Sequence, residues 1–392
     1  MFSVPGSKHQ DGYEFCVDLI NEAGGLLGRP VELVITDNRS DTETGVSQYE
    51  RLINAENVDL LFGTFSSLLT FPTSAVAEQA GMLYPVPSGG ALQIWARGFE
   101  NIFYFQQQPA EFLGESAMEA FSHYSDEDVV SEGDLPQTAS VVYAEDFFAA
   151  AFAAGLLGGQ VAVEGTEEVV DLSPGFLAEA GIEVVMDEQW PEGYSDWLSL
   201  ANSIRAADAD LLAVGTASPD EAVEVVRSLQ TVGYQPQAVY MSQGTQSEFQ
   251  ENLGEAANGV LAYSSWHPAA QYEGTLAGEP FSNQDFIEQF TAAYDRAPDE
   301  DEAIPFAVCQ GMEQAVAGAG TTDNAAIRDW LRSRTEEDPV ETVLGPYYWD
   351  ERGLPIDRFP ILTQWQDGAL EFVYPVDEFP GVADLAHPKP EW

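Results

Sequence analysis

The chain has 392 residues, of which 45% are hydrophobic, and this is enough for two domains that each bury a core. Its 66 acidic and 14 basic residues give a formal net charge of −52 at pH 7. Nucleic acid and anionic membrane surfaces are therefore disfavoured as partners, because phosphate binding depends on clustered Lys and Arg. Such a surface repels itself unless salt screens it, and the Debye length falls to roughly 3 Å only at molar salt. We therefore interpret the chain as halophilic.

Helices and short apolar strands alternate through the first hundred residues. Helices are predicted at residues 11–23, 42–55 and 70–80, and strands at 31–35, 58–62 and 82–86. This alternation is typical of a parallel sheet covered by helices on both faces.

A second set of alternating elements follows a proline-containing turn at residues 106–109. Strands are predicted at 139–143, 182–186, 211–215, 238–241 and 259–263, with helices from about 147, at 197–206 and at 219–231. Residues 147–163 carry no charge, but they are too short and too weakly apolar to span a bilayer. Further helices are predicted at 283–294, 303–318 and 323–330.

Both ends of the chain carry motifs of one known family. They are residues 18–30 (DLINEAGGLLGRP), 36–38 (TDN), 61–67 (LFGTFSS), 342–353 (TVLGPYYWDERG), 363–368 (TQWQDG) and 373–375 (VYP). In these motifs and their order the chain resembles the type 1 periplasmic solute-binding proteins of branched-chain amino acid, amide and urea ABC importers. The resemblance implies an α/β fold of two doubly wound parallel-sheet lobes joined by a three-crossing hinge.

The resemblance also implies how the chain is divided. The N-terminal lobe is expected to comprise residues 1–106 and 267–341, and the C-terminal lobe residues 107–266 and 342–392. In this architecture ligands bind in the cleft between the lobes. Two segments, 126–135 and 158–175, depart from the family and are expected to be exposed loops.

The first strand of the family is not found in the sequence. The family opens with an apolar strand and a turn before its first helix, and here only the turn, at residues 4–7, is present. The first strand of a doubly wound sheet is usually central, so its absence would leave the strands on either side without a partner. We therefore expect the complete protein to start upstream of Met1.

Candidate ligand-binding residues of the first lobe follow predicted strands. Ser66 and Ser67 precede a helix, where backbone N–H groups and the helix dipole suit an anion. The resemblance maps Ser67 onto the residue whose hydroxyl holds the ligand's carboxylate, and Ser88 and Gly90, on either side of Gly89, onto residues that offer a hydroxyl and backbone groups. Gly90 lacks the hydroxyl that many relatives carry. The alternative is that Ser66 or Ser67 only caps the helix.

In the second lobe the candidates are Phe148, Thr216, Gln243 and Trp266. Phe148 follows YAEDF, where relatives place a tyrosine that faces the ligand, and Gln243 lies near the position of a carboxylate that pairs with an ammonium group. The neutral Gln243 favours an amide, urea-like or other polar neutral ligand over an α-amino acid, and Phe148 indicates either a less polar end of the ligand or another hydrogen-bonding group. Trp266 is preferred to Trp95 and Tyr263 as an aromatic of the cleft, although packing is the commoner role for a lone aromatic.

Cys16 and Cys309 fall in predicted helices of the same lobe and match no metal or redox motif. We interpret them as small buried hydrophobic residues, with a disulfide as the alternative. Catalytic, cofactor and metal motifs were not found: the sequence has no Gly-x-Ser-x-Gly elbow, Walker A loop or His-Glu-x-x-His. No catalytic residue, cofactor or metal ligand is therefore predicted.

The sequence predicts a receptor that is not an enzyme. It would capture a small polar ligand (a branched-chain amino acid, an amide or a urea-like molecule) by hinge closure and deliver it to the membrane permease subunits of an ABC importer, without inserting into the membrane itself. Residues 1–6 carry no export signal. The expected location is extracellular if a signal or lipid anchor lies upstream, and cytoplasmic if Met1 is the true start. The alternatives are a cytosolic amide or amino-acid sensor on the same fold and a hydrolase, which no motif supports.

Overall fold

The structure, a computed structural model, describes residues 2–162, 169–173, 175–377 and 379–392. The chain divides into two compact units. Unit 1 comprises Met1–Gln108 and Ala270–Arg358, and unit 2 comprises Pro109–Ala269 and Phe359–Trp392. The chain therefore passes between the units three times.

The secondary structure follows in chain order. Unit 1 begins with α1 (Ser3–Glu22), α2 (Thr42–Arg51), α3 (Ser67–Ala80), β1 (Tyr84–Val86), α4 (Leu92–Trp95) and β2 (Ile102–Tyr104). Unit 2 contains α5 (Glu115–Asp126), β3 (Thr138–Ala144), α6 (Phe147–Leu157), β4 (Gly159–Ala162), β5 (Val169–Ser173), α7 (Phe176–Glu179), β6 (Glu183–Trp190), α8 (Trp197–Ala207), β7 (Leu211–Gly215), α9 (Pro219–Val232), β8 (Ala238–Met241), α10 (Ser247–Leu253) and β9 (Val260–Ser264). The chain returns to unit 1 with β10 (Thr275–Leu276), β11 (Glu279–Pro280), α11 (Asn283–Tyr294), α12 (Glu300–Ala319), α13 (Asn324–Arg332), β12 (Val340–Thr342) and β13 (Gly345–Tyr347), and ends in unit 2 with β14 (Ile361–Gln366) and β15 (Ala369–Tyr374).

Unit 2 is built on one seven-stranded sheet with the order β15-β14-β9-β8-β7-β3-β6. The five strands from β9 to β6 are parallel, and β14 and β15 add two antiparallel strands at the β9 edge. Its core lies between the sheet and the flanking helices, with buried residues such as Ile204, Leu212, Val214, Val226 and Leu229. The four inner parallel strands β3, β7, β8 and β9 are buried, which explains their nearly continuous apolar sequences, whereas the edge strand β6 is largely exposed. The α/β class predicted from the alternating pattern is confirmed.

Unit 1 has the predicted helices but fewer paired strands. β1 and β2 pair in parallel, with Tyr84 opposite Ile102. The predicted strands at residues 31–35 and 58–62 are wrong, since neither segment belongs to a β-ladder within the described residues. Both are apolar and follow a helix as a strand would, but no paired strand lies beside them to complete their hydrogen bonds. Residues 4–7, predicted as a turn, form part of α1.

Helices α1 and α12 pack closely in the core of unit 1. A Cβ added to Gly12 would lie 2.3 Å from the backbone oxygen of Glu302, so only glycine permits this approach. One turn further along, Cys16 and Cys309 form a disulfide with their Cα atoms 6.3 Å apart. The interpretation of these cysteines as unpaired hydrophobic residues is therefore wrong. The helix pairing decides this, because it brings the two Cα atoms within the usual disulfide range of about 4.4–6.8 Å.

The last passage of the chain between units lies after Arg358, whereas the sequence placed it at residue 342. The intervening residues are tied to unit 1 by backbone pairing. β12 and β13 form a hairpin in which Val340 is opposite Tyr347. Trp349 then donates its indole N–H to the carbonyl of Tyr104, at 2.7 Å. The motif at 342–353 is therefore a structural part of unit 1.

The expected loop at residues 158–175 contains a two-stranded antiparallel hairpin of β4 and β5. Residues 163–168 and 174 lie outside the described residues, so the expected exposure of this segment stays a prediction.

Candidate functional site

The start of α3 offers unpaired backbone donors in unit 1. Ser66 has φ 76° and is the N-cap residue; its hydroxyl accepts a hydrogen bond from the Leu69 N–H at 3.4 Å. The N–H groups of Ser67 and Leu68 have no acceptor among the described residues. Free N–H groups and the dipole of a 14-residue helix favour an anion at this end. Capping by Ser66 and anion binding at Ser67 are thus compatible.

The Ser67 hydroxyl links this helix start to the neighbouring loop at residues 87–90. It accepts a hydrogen bond from the Ala91 N–H at 3.2 Å, which leaves its own proton to donate. Thr70 donates to the Ser88 carbonyl at 2.8 Å, and the Gln106 amide donates to the Ser88 hydroxyl at 3.2 Å. The start of α3, at Ser67, is therefore connected by hydrogen bonds to the loop that carries Ser88.

Gly89 and Gly90 continue this loop and are both buried. A Cβ on Gly89 would lie 2.8 Å from Cγ2 of Thr70, so the close approach of the loop to α3 requires glycine. The Gly89 carbonyl accepts the indole N–H of Trp95 at 3.1 Å. Trp95, a lesser candidate for ligand contact, therefore holds the loop in place.

Asp146 is the N-cap of α6 in unit 2 and follows β3. One carboxylate oxygen accepts from the N–H groups of Phe148 and Ala149, at 2.8 and 2.9 Å. Burial raises the pKa of Asp146 to about 6, against the lowering effect of these backbone bonds. The Asp146 carboxyl therefore lies just after the end of β3, and its protonation depends on its burial and on these backbone hydrogen bonds.

Thr216 follows β7 and is fully buried. Its hydroxyl donates to the Glu221 carboxylate at 2.6 Å and accepts from the Ser218 N–H at 3.0 Å. The Ser242 hydroxyl bridges the backbone N–H and carbonyl of Thr216, each at 2.8 Å. The Thr216 hydroxyl proton is therefore used in the hydrogen bond that orients Glu221, so it is not available to a ligand.

Glu221 is a candidate that the sequence analysis missed. Its charge contributes to the raised pKa of Asp146, so the two carboxyls lie within electrostatic range of each other. The signal was present in the sequence: Pro219, Asp220 and Glu221 open a helix directly after a buried strand. Unit 2 therefore presents two acidic groups where the sequence alone indicated the neutral Gln243.

Gln243, Phe148 and Trp266 complete the predicted set. The Gln243 side-chain carbonyl accepts from the Gln246 amide at 2.9 Å, and its own NH₂ has no acceptor among the described residues. The Phe148 ring lies 6.4 Å from that of Tyr263. Trp266 is buried, with 3% of its surface exposed. Of the three, Gln243 retains donor capacity.

The two strand edges differ in chemistry. The unit 1 candidates Ser66, Ser67, Ser88, Gly89 and Gly90 supply hydroxyl and backbone N–H groups without charge. The unit 2 candidates include the carboxyls of Asp146 and Glu221. The first set suits a carboxylate or carbonyl oxygen, and the second suits an ammonium or amide N–H group. Within the described residues no cluster of three or more His, Cys, Asp or Glu side chains is arranged to hold a metal ion.

None of the helices in the described part of the chain combines the length and apolar character needed to cross a bilayer.

The chain is similar in sequence to proteins of known families. The family model for periplasmic binding proteins matches residues 2–369. A relative, Leu/Ile/Val-binding protein homolog 7 of Brucella suis, is 26% identical over 375 residues, which cover 94% of this chain and 87% of the relative.

Two solved structures share the fold. The branched-chain amino acid transporter substrate-binding protein LivJ of Streptococcus pneumoniae, solved in complex with isoleucine, has a TM-score of 0.74 and 21% identity, covering 96% of both chains. A solute-binding protein of R. palustris, solved with benzoate, has a TM-score of 0.71 and 16% identity, covering 99% of this chain and 93% of the other. At these identities the likeness establishes the fold and leaves the ligand open.

Proposed function

Because the chain belongs to the periplasmic binding protein family, we propose that it is the solute receptor of an ATP-driven importer, with a branched-chain amino acid as its ligand. The ligand would be held by Ser67 and Ser88 of unit 1 and by the acidic groups of unit 2, with closure of the two units around it and delivery to the permease subunits. Relatives are named as binding proteins, and the chain is accordingly a binding protein and not an enzyme.

The observation that carries this proposal is the opposite polarity of the two strand edges. Ser67 has a hydroxyl proton and a backbone N–H to donate, next to a helix dipole that favours negative charge. Asp146 and Glu221 provide negative charge on the other unit. An α-amino acid carries a carboxylate and an ammonium group, so it satisfies both edges.

Neutral ligands fit less well. An amide or urea-like molecule can donate hydrogen bonds to Asp146 and Glu221, but it leaves their charge uncompensated, and enclosing a charge without a counter-charge is costly. The proposed amino acid ligand departs from the preference for neutral ligands drawn from Gln243, because the proposal also takes account of Asp146 and Glu221. Phe148 provides an apolar surface that suits a branched hydrocarbon side chain.

The disulfide supports an extracytoplasmic location. Disulfides persist in oxidising compartments and are rare in the cytosol of mesophiles. Cys16 and Cys309 are both in this bond, so the chain has no free cysteine among the described residues. This favours the transport receptor over the cytosolic sensor on the same fold.

The ligand is tested by calorimetric titration at molar KCl with isoleucine, leucine and two leucine analogues. 4-Methylpentanoate lacks the ammonium group and 3-methylbutylamine lacks the carboxylate. Each analogue leaves one buried group of the site unpaired, which costs about 1–3 kcal/mol and more for a charged group. We expect leucine or isoleucine to bind and both analogues to bind at least about tenfold more weakly. Equal binding of 4-methylpentanoate, benzoate and leucine would show that the ligand is a carboxylate without an ammonium group.

Two substitutions assign the subsites. Ser67→Ala is expected to weaken binding of leucine and 4-methylpentanoate alike, since both carry the carboxylate. Glu221→Gln is expected to weaken leucine binding and leave 4-methylpentanoate unaffected. Ser333→Ala is the matched control, because Ser333 is exposed at the end of α13, where its hydroxyl donates to the Trp330 carbonyl and accepts from the Arg334 guanidinium. Unchanged leucine affinity in Ser67→Ala would refute the carboxylate subsite.

A further inference from the structure

The three connections between the units have their unit 1 ends at Gln108, Ala270 and Arg358. The first connection leaves unit 1 at Gln108, the second enters it at Ala270, and the third leaves it at Arg358. The side-chain amide of Gln108 donates to the backbone carbonyl of Arg358 at 2.5 Å, although the two residues are 250 positions apart in the chain. The first and third connections are therefore joined at the points where they leave unit 1.

The Arg358 side chain turns back into unit 1 and is buried, with 7% of the residue's surface exposed. Its guanidinium donates to the Leu344 carbonyl and, at 3.4 Å, to the Pro346 carbonyl. It also lies over two aromatic rings, 4.8 Å from the Tyr347 centroid and 5.5 Å from the Tyr272 centroid. A planar guanidinium can lie on rings and donate hydrogen bonds in its own plane at the same time. These contacts together fix the position of Arg358.

Tyr272 belongs to the second connection, two residues after Ala270. Asn283, at the start of α11, donates its side-chain amide to the Ala270 carbonyl at 2.7 Å and its backbone N–H to the Tyr272 carbonyl at 2.9 Å. Gly345 leaves room for the ring, because a Cβ there would lie 2.6 Å from Nη1 of Arg358 and 2.8 Å from Cε1 of Tyr272. Arg358 therefore contacts both of the other connections, one through its carbonyl and one through its side chain.

The first connection is tied in turn to the loop at residues 87–90, which carries Ser88. Gln106 lies two residues before Gln108 and is buried. Its side-chain amide donates to the Pro87 carbonyl at 2.6 Å and to the Ser88 hydroxyl at 3.2 Å. A side-chain amide has two protons, and both are used here. Gln106 therefore holds this loop beside the end of the first connection.

We propose that Arg358 is a positioning residue for ligand capture, which holds the unit 1 ends of the three connections and, through the first of them, the loop that carries Ser88. This rests on the proposed receptor function, in which the units close around a ligand. Domain closure is absorbed by torsion changes in a few residues. Because Gln108 and Arg358 are fixed, these changes are confined to residues beyond them, and the Ser88 loop keeps its conformation. Arg358 acts through the connections and is assigned no contact with the ligand.

Loss of this fixation lowers the population of the form that is ready to bind. The apparent dissociation constant is the intrinsic one divided by the fraction of the chain in that form. One net hydrogen bond corresponds to a factor of about two to ten in such an equilibrium. Removing the bond from Gln108 to Arg358 should therefore weaken ligand binding by about that factor.

The test compares Gln108→Met with Gln314→Met by calorimetric titration with leucine at molar KCl and by denaturant unfolding. Both glutamines are partly buried in unit 1, and Gln314 donates to the Thr275 and Glu341 carbonyls and accepts from the Glu341 N–H. Gln314 makes more of these bonds, so a general loss of stability would be larger in its variant. We expect Gln108→Met to weaken leucine binding by about two- to tenfold and Gln314→Met to leave it unchanged. Arg358→Lys lacks the planar fork and should weaken binding at least as much.

Hydrogen exchange without ligand separates this proposal from the proposed function. We expect exchange at residues 88–90 and 106–108 to be faster in Gln108→Met and Arg358→Lys than in the wild type, and unchanged in Gln314→Met. Unchanged exchange at these residues in Gln108→Met would overturn the proposal, as would equal losses of leucine affinity in the two glutamine variants. If leucine did not bind to the wild type, the proposed ligand would be refuted, and the exchange result would still decide the positioning role.

Discussion

Cys16 and Cys309 are separated by 293 positions in the sequence, and their sulfur atoms are bonded between α1 and α12. The bond joins the first helix of unit 1 to a helix that the chain forms only after passing through unit 2. Unit 1 is therefore closed covalently around two distant stretches of chain. A crosslink that closes a long loop removes entropy from the unfolded state.

Reduction of this disulfide should destabilise unit 1. We expect dithiothreitol to lower the free energy of unfolding by about 2–5 kcal/mol, the range seen when native disulfides are removed. Denaturant unfolding monitored by tryptophan fluorescence measures the change. The double variant Cys16→Ala/Cys309→Ala serves as the control and should be insensitive to dithiothreitol. A stability that does not respond to reduction in the wild type would contradict the expectation.

Salt should determine whether the chain is stable at all. The net charge of −52 repels itself over a Debye length of about 10 Å at 0.1 M salt, and this length falls to about 3 Å at 1 M. We expect the thermal midpoint to rise steeply between 0.1 and 2 M KCl. The triple variant Asp126→Asn/Glu127→Gln/Asp128→Asn removes three exposed charges and should need less salt for the same midpoint. A midpoint that is independent of KCl would refute the halophilic interpretation.

Asp146 should make stability fall as pH rises. Burial raises its pKa to about 6 in the folded protein, from an ordinary value of 3.8. Between these values the folded state keeps a proton that the unfolded state has lost, so the free energy of unfolding decreases with rising pH and levels off above about pH 6. Asp146→Asn keeps a capping oxygen and removes the titration. The stability of the wild type relative to this variant should therefore drop by up to about 3 kcal/mol from pH 4 to pH 7.

A control of opposite sign is available at another helix start. Asp41 caps α2, and its hydrogen bonds from Thr44 lower its pKa. The wild type should thus gain stability relative to an Asp41→Asn variant as pH rises towards the unfolded-state pKa, and the difference should be constant above it. Denaturant unfolding without ligand at several pH values measures both variants. If the stability of the wild type relative to each variant changed with pH in the same direction for Asp146→Asn and Asp41→Asn, the opposite pKa shifts of the two carboxyls would be contradicted.

Lys8 should be important for the docking of α1 on α12. Its ammonium lies 2.5 Å from the Asp299 carboxylate, and the two side chains are 9% and 19% exposed. Asp299 is also the N-cap of α12. Removing one partner of a buried pair costs about 3–5 kcal/mol, so Lys8→Met should destabilise by roughly that amount. Arg51→Met breaks an exposed pair with Glu56 and should cost less than about 1 kcal/mol. Equal losses in chemical denaturation would contradict this view.

Most elements could be predicted from local sequence. β7, β8 and α11 lie at their predicted bounds, because capping residues and apolar periodicity mark them. Residues 31–35 and 58–62 have the same apolar character, but they form no ladder. A strand depends on a neighbour that its own residues do not encode, whereas a helix makes its hydrogen bonds internally.

Some residues of the candidate site could likewise be predicted from the sequence, and others could not. Ser67 and Ser88 could be found because each follows a predicted strand before a loop or helix, and the fold connects their loops through Ala91 and Thr70. Glu221 was missed because it is five residues beyond Thr216, and only the turn after β7 folds its carboxylate back onto that hydroxyl. The hydrogen bond from Thr216 to Glu221 could not be predicted for the same reason, since it depends on that turn.

By itself, the sequence determined the α/β class, the presence of most helices, the acidic composition and the family, because these depend on composition and on patterns within short segments. The tertiary structure alone decided the disulfide, the electrostatic interaction between Asp146 and Glu221, and the lack of a β-ladder at residues 31–35 and 58–62 within the described chain. Each of these is a relationship between stretches that the chain brings together only on folding. Proximity in space, and not residue type, determines whether a thiol is bonded, a carboxyl is charged or a strand is paired.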